Sequence, residues 1–294
     1  MSDPSSSPRV PDLDAWVEKA RANPVQYRQR QVTHILLHAV ARTEALRDTL
    51  CLKGGTLMSA VYGSIRQTGD VDFSASVSPE PFASGFREQL DKAMAAAATD
   101  LGYLDLRMRV QKFVRQPRIF EQALAPALQM TIGIAERNAN ARERLEQGMA
   151  VETLGVDISF KEPVINVQVV EFGSPNVSVF AYSTEELVAE KLRALVQQKS
   201  RNRTRRQDVY DICWLIENVP LDAEAPARIL AAFQEKSDAR DLDVTADALD
   251  DPEIRERAAA DWDTMALEIG KLPRFDDQYE RVRLFYRALP WSNV

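Results

Sequence analysis

The sequence predicts an α+β fold: a mixed sheet in the first two thirds of the chain, then a C-terminal helical bundle. Three observations carry this prediction. Short alternating apolar segments recur between Val71 and Tyr182. From Thr184 onward almost every segment shows helical periodicity. Pro220, Pro226, Pro252 and Pro273 then punctuate the helices. The 294 residues, 45% hydrophobic and 28% charged, suffice for a sizeable core and more than one subdomain. The expected division is 1–45 for an N-terminal tail and helices, 46–183 for the α/β core and 184–294 for the helical part.

Taken in order, residues 1–11 are a Ser/Pro tail, and Asp12 opens a short helix reaching Ala22. Pro24 interrupts it and starts a second helix to about Leu46, with Val32, Ile35, Leu36, Ala39 and Val40 on one face. Residues 55–63 read as a short helix after Gly54 and Gly55, and Val71 to Val77 as a strand flanked by Asp70. Pro79 opens an Ala-rich helix that includes 92–99. Strands follow at 101–114, 128–135, 151–160, 165–172 and 177–182, with 136–150 a charged loop or an exposed helical turn. Helices are expected at 184–198, 206–217, 222–236, 253–269 and 276–288, with Thr184 as the N-cap of the first.

Composition excludes several classes. The net charge of −7 argues against a general duplex-DNA coat, so nucleic acid would be held by a local patch such as Lys199, Arg201, Arg203, Arg205 and Arg206. Two distant cysteines, Cys51 and Cys213, give no disulfide framework and suit a reducing cytoplasm. His34 and His38 lie four apart on a helix with no further ligands at hand, and read as a packed face, not a zinc site. The N-terminus does not read as a signal peptide, and no apolar run is long enough to span a membrane.

The chemistry concentrates in a few places. Gly54 and Gly55 before a helix let the backbone approach a polyphosphate, with the Thr56 hydroxyl as a further contact. Asp70 and Asp72, two apart on a strand, present both carboxylates to one side, and such pairs together with substrate phosphates hold Mg²⁺ or Mn²⁺. Asp157, alone in the apolar strand 154–160, is either a third metal ligand or a residue of the solvent face. Lys191 shares a helix face with Leu187 and Ala194 and therefore needs an anionic partner, a triphosphate or a neighbouring glutamate. Asp208 and Asp211 lie three apart and can order that lysine or face the nucleotide. Lys53, just before the glycines, has a minor expected role. No Walker A loop and no dinucleotide fingerprint is present.

Leu52-Lys53-Gly54-Gly55-Thr56, Arg66, Asp70-Val71-Asp72-Phe73, Glu190-Lys191-Leu192-Arg193 and Arg206-Gln207-Asp208-Val209-Tyr210-Asp211 together resemble the motifs of the AbiEii/AbiGii-type toxin nucleotidyltransferases. The resemblance covers about 45 to 217, and departs from the family where Thr68 and Gly69 precede the aspartate pair. It implies a polymerase-β-like nucleotidyltransferase core, bound Mg²⁺ or Mn²⁺, an NTP donor and a cognate antitoxin. Mycobacterial members add nucleotides to the acceptor end of tRNA and block translation, which makes an RNA acceptor, foremost the tRNA 3′ end, the leading substrate. By the same resemblance Gly55, Asp70, Asp72, Lys191 and Asp211 are functional positions, with Arg66 and Asp208 on the nucleotide side. The residues alone leave open transfer of a nucleoside monophosphate to a protein side chain, or an idle fold that only binds nucleotide or antitoxin.

Overall fold

A computed structural model describes residues 9–78, 85–117, 120, 122–173 and 177–291. The helix start expected at Pro79 and most of the N-terminal tail lie outside the described residues. The elements are α1 (Leu13–Glu18), α2 (Pro24–Arg42), α3 (Glu44–Arg47), β1 (Leu50–Lys53), α4 (Gly54–Ala60), β2 (Asp70–Ala75), α5 (Phe86–Asp100), β3 (Arg107–Gln116), β4 (Ala127–Ala135), α6 (Ala139–Glu146), β5 (Glu152–Phe160), β6 (Val167–Glu171) and β7 (Ser178–Tyr182). Helices α7 (Thr184–Gln197), α8 (Arg206–Asn218), α9 (Ala225–Asp238), α10 (Pro252–Ala259), α11 (Ala266–Ile269) and α12 (Phe275–Arg287) follow.

The chain divides into two compact units. The first holds residues up to Val61, Thr68–Glu162 and Gln168–Ala181; the second holds Tyr62–Gln67, Pro163–Val167 and everything from Tyr182. The N-terminal helices thus belong to the same unit as the sheet.

In the first unit the strands form one seven-stranded mixed sheet in the order β3-β4-β5-β2-β1-β7-β6. β2 runs parallel to β5 and antiparallel to β1, and β4 is antiparallel to both β3 and β5. Strand alternation gives the sheet two unlike faces. Leu52, Val71, Phe73, Val156, Ile158, Leu128 and Ile132 share the apolar face and are almost wholly buried. α2 packs on α5 and β5, and α5 packs on β3, so Ile35, Leu36, Leu90 and Met94 complete this core. The opposite face carries the polar partners of the same strands.

Several boundaries differ from the sequence expectation, each for a local reason. β3 begins at Arg107, because Gly102 at φ +75° closes α5 and the chain turns before extending. Residues 139–146 form a true helix, started by the Asn138 side chain accepting from the Asn140 and Ala141 N–H groups. The single helix expected over 253–269 breaks at Asp261, which sits at φ +58° and leads into a 3₁₀ turn. Ser183, not Thr184, caps α7; its hydroxyl accepts from the Glu186 N–H at 3.2 Å, while Thr184 is buried in the first turn. The strand β1 adds to the strands expected from the sequence.

In the second unit α7 packs against α8, α9 and α10, and α12 packs on α8. Two chain segments enter this unit away from its main body. Tyr62 accepts a hydrogen bond from the Thr184 hydroxyl at 3.2 Å. The Ile165 and Asn166 N–H groups donate to the Glu186 carboxylate at 3.2 and 2.9 Å, and Lys236 donates to the Pro163 carbonyl at 2.7 Å. Among the described residues no helix is long and apolar enough to cross a membrane.

Candidate active site

The first cluster lies on the polar face of the sheet. The registers run in straight rows across it. Asp72 on β2 stands opposite Asp157 on β5 and opposite Lys53 on β1, while Asp157 stands opposite Gln129 on β4. Asp70 stands opposite Gly155. Paired residues share a face, so Asp70, Asp72 and Asp157 project from one side of the sheet. Asp70 is exposed, and Asp72 and Asp157 are half-buried.

Two glycines shape this floor. Gly54 turns the chain from β1 into α4 at φ +71°, where an L side chain is strained. A Cβ there would also lie 2.0 Å from Asp72 Oδ2 and 2.8 Å from its Cγ, so the missing side chain is the space that the carboxylate fills. A Cβ on Gly155 would meet Asp70 Oδ1 at 2.4 Å in the same way. Gly55 is buried in the first turn of α4. Thr56 is 1% exposed and its hydroxyl donates to the Asp70 carbonyl at 2.8 Å. That single proton pins α4 to the start of β2 and leaves none for a phosphate oxygen.

Burial pushes the Asp157 carboxyl above the usual carboxylate range, a hydrogen bond from Gln129 pulls it down, and the charge of Asp70 raises it again. A crowd of carboxylates on one face is the donor chemistry of a hard divalent cation. Among the described residues no group of three or more His, Cys, Asp or Glu side chains is drawn together as a metal cage. Asp72 leans toward Gly54 and Asp70 toward Gly155. Mg²⁺ does not need a closed cage, because it keeps waters and shares one or two carboxylates with substrate phosphates. The residues fit such an ion.

Lys53 has a larger part than the sequence suggested. It is 9% exposed, its ammonium donates to Ser159 at 3.1 Å and to the Glu162 carboxylate, and Ser74 donates to the same Glu162 at 2.8 Å. This buried ion pair ties β1, β2 and the end of β5 behind the aspartates. Glu162 carries no signal in the sequence, since it stands in the turn after β5.

The second cluster lies within the second unit. Lys191 donates to Asp211 at 2.6 Å and to Asp208 at 3.1 Å. Arg66 grips Asp211 with Nε and Nη2, both at 2.8 Å, the bidentate geometry that guanidinium and carboxylate favour. Glu268 lies 3.4 Å from Arg66 Nη1 and accepts from Gln207 at 3.2 Å. Burial alone would raise the Asp211 carboxyl, but Lys191 and then Arg66 hold it down to about 2. Burial likewise works against the Lys191 charge, and Asp211 and Asp208 more than restore it. Asp211 is 0% exposed, so it acts through the two cations it holds. Of the two roles open to Asp208 and Asp211, the structure displays the ordering of Lys191. Lys191 keeps one N–H beyond these two partners. The link to Arg66 spans 145 residues and could not be read from spacing.

The two histidines take a packing role: His34 is buried with Nδ1 3.2 Å from the Tyr103 hydroxyl, and burial lowers it to about 4.

The family model described as "Nucleotidyl transferase AbiEii toxin, Type IV TA system" matches residues 35–281. The chain belongs to the AbiEii family. It is therefore a toxin-type nucleotidyltransferase of a toxin–antitoxin system, which implies use of a nucleotide and an antitoxin partner. Among solved structures this AbiEii chain is similar to JHP933 from Helicobacter pylori, with TM-score 0.52 and 13% identity over 91% of this chain and 92% of that one. It is similar also to a putative nucleotidyltransferase from H. pylori, with TM-score 0.50 and 11% identity over 89% and 93%. MenT4, a nucleotidyltransferase toxin from Mycobacterium tuberculosis, aligns at TM-score 0.37 and 14% identity over 94% and 99%. No curated protein matches in sequence. At these identities the H. pylori structures establish a shared fold.

Proposed function

We propose that this AbiEii chain transfers a nucleotidyl group from an NTP to the terminal hydroxyl of an RNA, foremost the 3′ end of tRNA, and that a cognate antitoxin neutralises it. The observation that carries the reading is that Asp70, Asp72 and Asp157 stand on one sheet face, with Gly54 left bare for Asp72. In a polymerase-β-like core these three would hold Mg²⁺ or Mn²⁺, which when bound lowers the pKa of the attacking hydroxyl and screens the departing pyrophosphate.

The chain's own residues divide the remaining work. Gly54 and Gly55 let the backbone of the β1–α4 corner come close to the phosphates. Lys191, fixed by Asp208 and Asp211, keeps a remaining N–H for an anionic group of the substrates. Arg66 keeps Asp211 ionised and in place. In the reaction the acceptor oxygen bonds to the α-phosphorus, the bond to the pyrophosphate oxygen breaks, and the hydroxyl proton passes to one of the aspartates.

Incubation of the protein with each α-labelled NTP and total cellular RNA tests this. The expected result is label in a tRNA-sized band, dependent on added Mg²⁺ or Mn²⁺. Label on protein alone, or none in RNA under any metal, would overturn it.

A further inference from the structure

The polar face does not end at the aspartates. One register row runs from Asp70 through Gly155 and Thr131 to Lys112 on β3. The next runs from Asp72 through Asp157 and Gln129 to Val114, and a third ends at Gln116. Four strands at the usual spacing put Lys112 about 14 Å from Asp70 across the sheet. Lys112, Gln129 and Gln116 are exposed, and Thr131 and Gly155 keep the floor between them low. Gln129 stands opposite Asp157 in the β4–β5 register, which sets the outer part of this face beside the carboxylates.

The charge of β3 is out of keeping with the chain. Arg107, Arg109, Lys112 and Arg115 stand in one ten-residue strand without an acid, in a protein of net charge −7. Arg109 is paired with Glu146, and Arg107 donates to the Leu104 and Leu106 carbonyls. Lys112 has no ion-pair partner among the described residues. A register shift between Val110 and Lys112 places a bulge just before it, a device that re-aims a side chain.

We propose that the β3–β4–β5 polar face is the track for the acceptor RNA, with Lys112 holding a backbone phosphate upstream of the terminal nucleotide and Gln129 and Gln116 contacting its sugar or bases. The proposal rests on the RNA-transfer reading above. Its rival is that Lys112 only guards the sheet edge, since β3 is an edge strand and lysines there prevent edge-to-edge pairing. An edge guard works with either sign of charge, whereas a phosphate contact does not.

Charge reversal therefore separates them. Lys112→Glu and the control Arg115→Glu change net charge equally, but Arg115 stands opposite Leu128, on the other face of the same strand. The measurements are the affinity for 5′-labelled bulk tRNA across a salt series, the acceptor and NTP KM values of transfer, and gel filtration. Lys112→Glu should weaken tRNA binding roughly fivefold at low salt and reduce the slope of log K against log salt by about 0.7. It should leave the NTP KM and the elution volume unchanged, and Arg115→Glu should bind as wild type does. Transfer to RNA by a Lys112→Glu protein with wild-type affinity, or equal losses in both variants, would refute the track while leaving the RNA reading intact. A wild-type protein that neither binds nor labels tRNA would refute both.

Discussion

Substituting Gly54 by alanine tests the floor of the site with an internal measure of its own. Two costs act at that position. The φ of +71° penalises any L residue by about 1–2 kcal/mol. The second cost is specific, because the new Cβ would stand 2.0 Å from Asp72 Oδ2 and 2.9 Å from Asp72 Cβ. The near-backbone contact means that a swing of the carboxylate tip does not relieve it; the whole Asp72 side chain must leave its place. Gly148 supplies the matched comparison, with φ +73° and nothing within 4 Å of an added Cβ. Gly148→Ala should lose about 1–2 kcal/mol in denaturant titration, and Gly54→Ala should lose more, because the clash with Asp72 adds to the same backbone cost. Only Gly54→Ala should also lose label transfer from NTP, by at least the roughly tenfold that 1.4 kcal/mol represents. Equal transfer activity in the two variants at saturating NTP would show that the Asp72 position is irrelevant to the chemistry, and the site as drawn would fall.

Asp70→Asn or Asp72→Ala should abolish transfer with little change in unfolding free energy, since neither side chain is in the core; full activity in either would remove the metal assignment. Lys191→Ala should cost stability as well as activity, on the order of 3 kcal/mol, because it strips one of two cations from the fully buried Asp211; Lys191→Arg should recover part of both, and a stable, fully active alanine variant would deny the network any role. Lys53→Ala should destabilise by a similar route, through Glu162, which makes it unsuitable as a neutral control. For pH, the Asp211 carboxyl lies below its usual 3.8, at about 2, so its contribution is complete above pH 4 and is lost as pH falls toward 2, worth about 2 kcal/mol. Acid titration of Asp211→Asn against wild type should show that this loss is missing in the variant; parallel curves would contradict the assignment.

How far the sequence revealed the structure depended on whether the deciding contact was local. β5 was legible because buried and part-exposed residues alternate along it, and the first halves of β2 and β4 do the same, so the alternation survives in the residues. β1 was not, because Leu50-Cys51-Leu52-Lys53 is too short to display a period and lies between β2 and β7. α6 buries only Leu145, and its start depends on a cap instead of a hydrophobic stripe. The Asp70–Asp72 pair was readable from strand geometry, and Lys191 from its place beside a buried stripe. Asp157 could be placed beside Asp72 only once the β2–β5 register was known, for pattern alone does not choose partners. The grip of Arg66 on Asp211, and of Lys53 on Glu162, join residues more than a hundred positions apart, where sequence holds no trace of the pairing.

The way the chain threads its two units limits how the protein can be cut or rearranged. Because Tyr62–Gln67 and Pro163–Val167 belong with the C-terminal helices, no single break separates the units. A fragment starting at Tyr182 would carry Asp211 and Lys191 without the guanidinium of Arg66, and Glu186 without the amides of Ile165 and Asn166. Such a piece would leave buried carboxylates with fewer partners and should not fold well alone. Recombination between relatives would therefore have to exchange the two short inserts together with the helices.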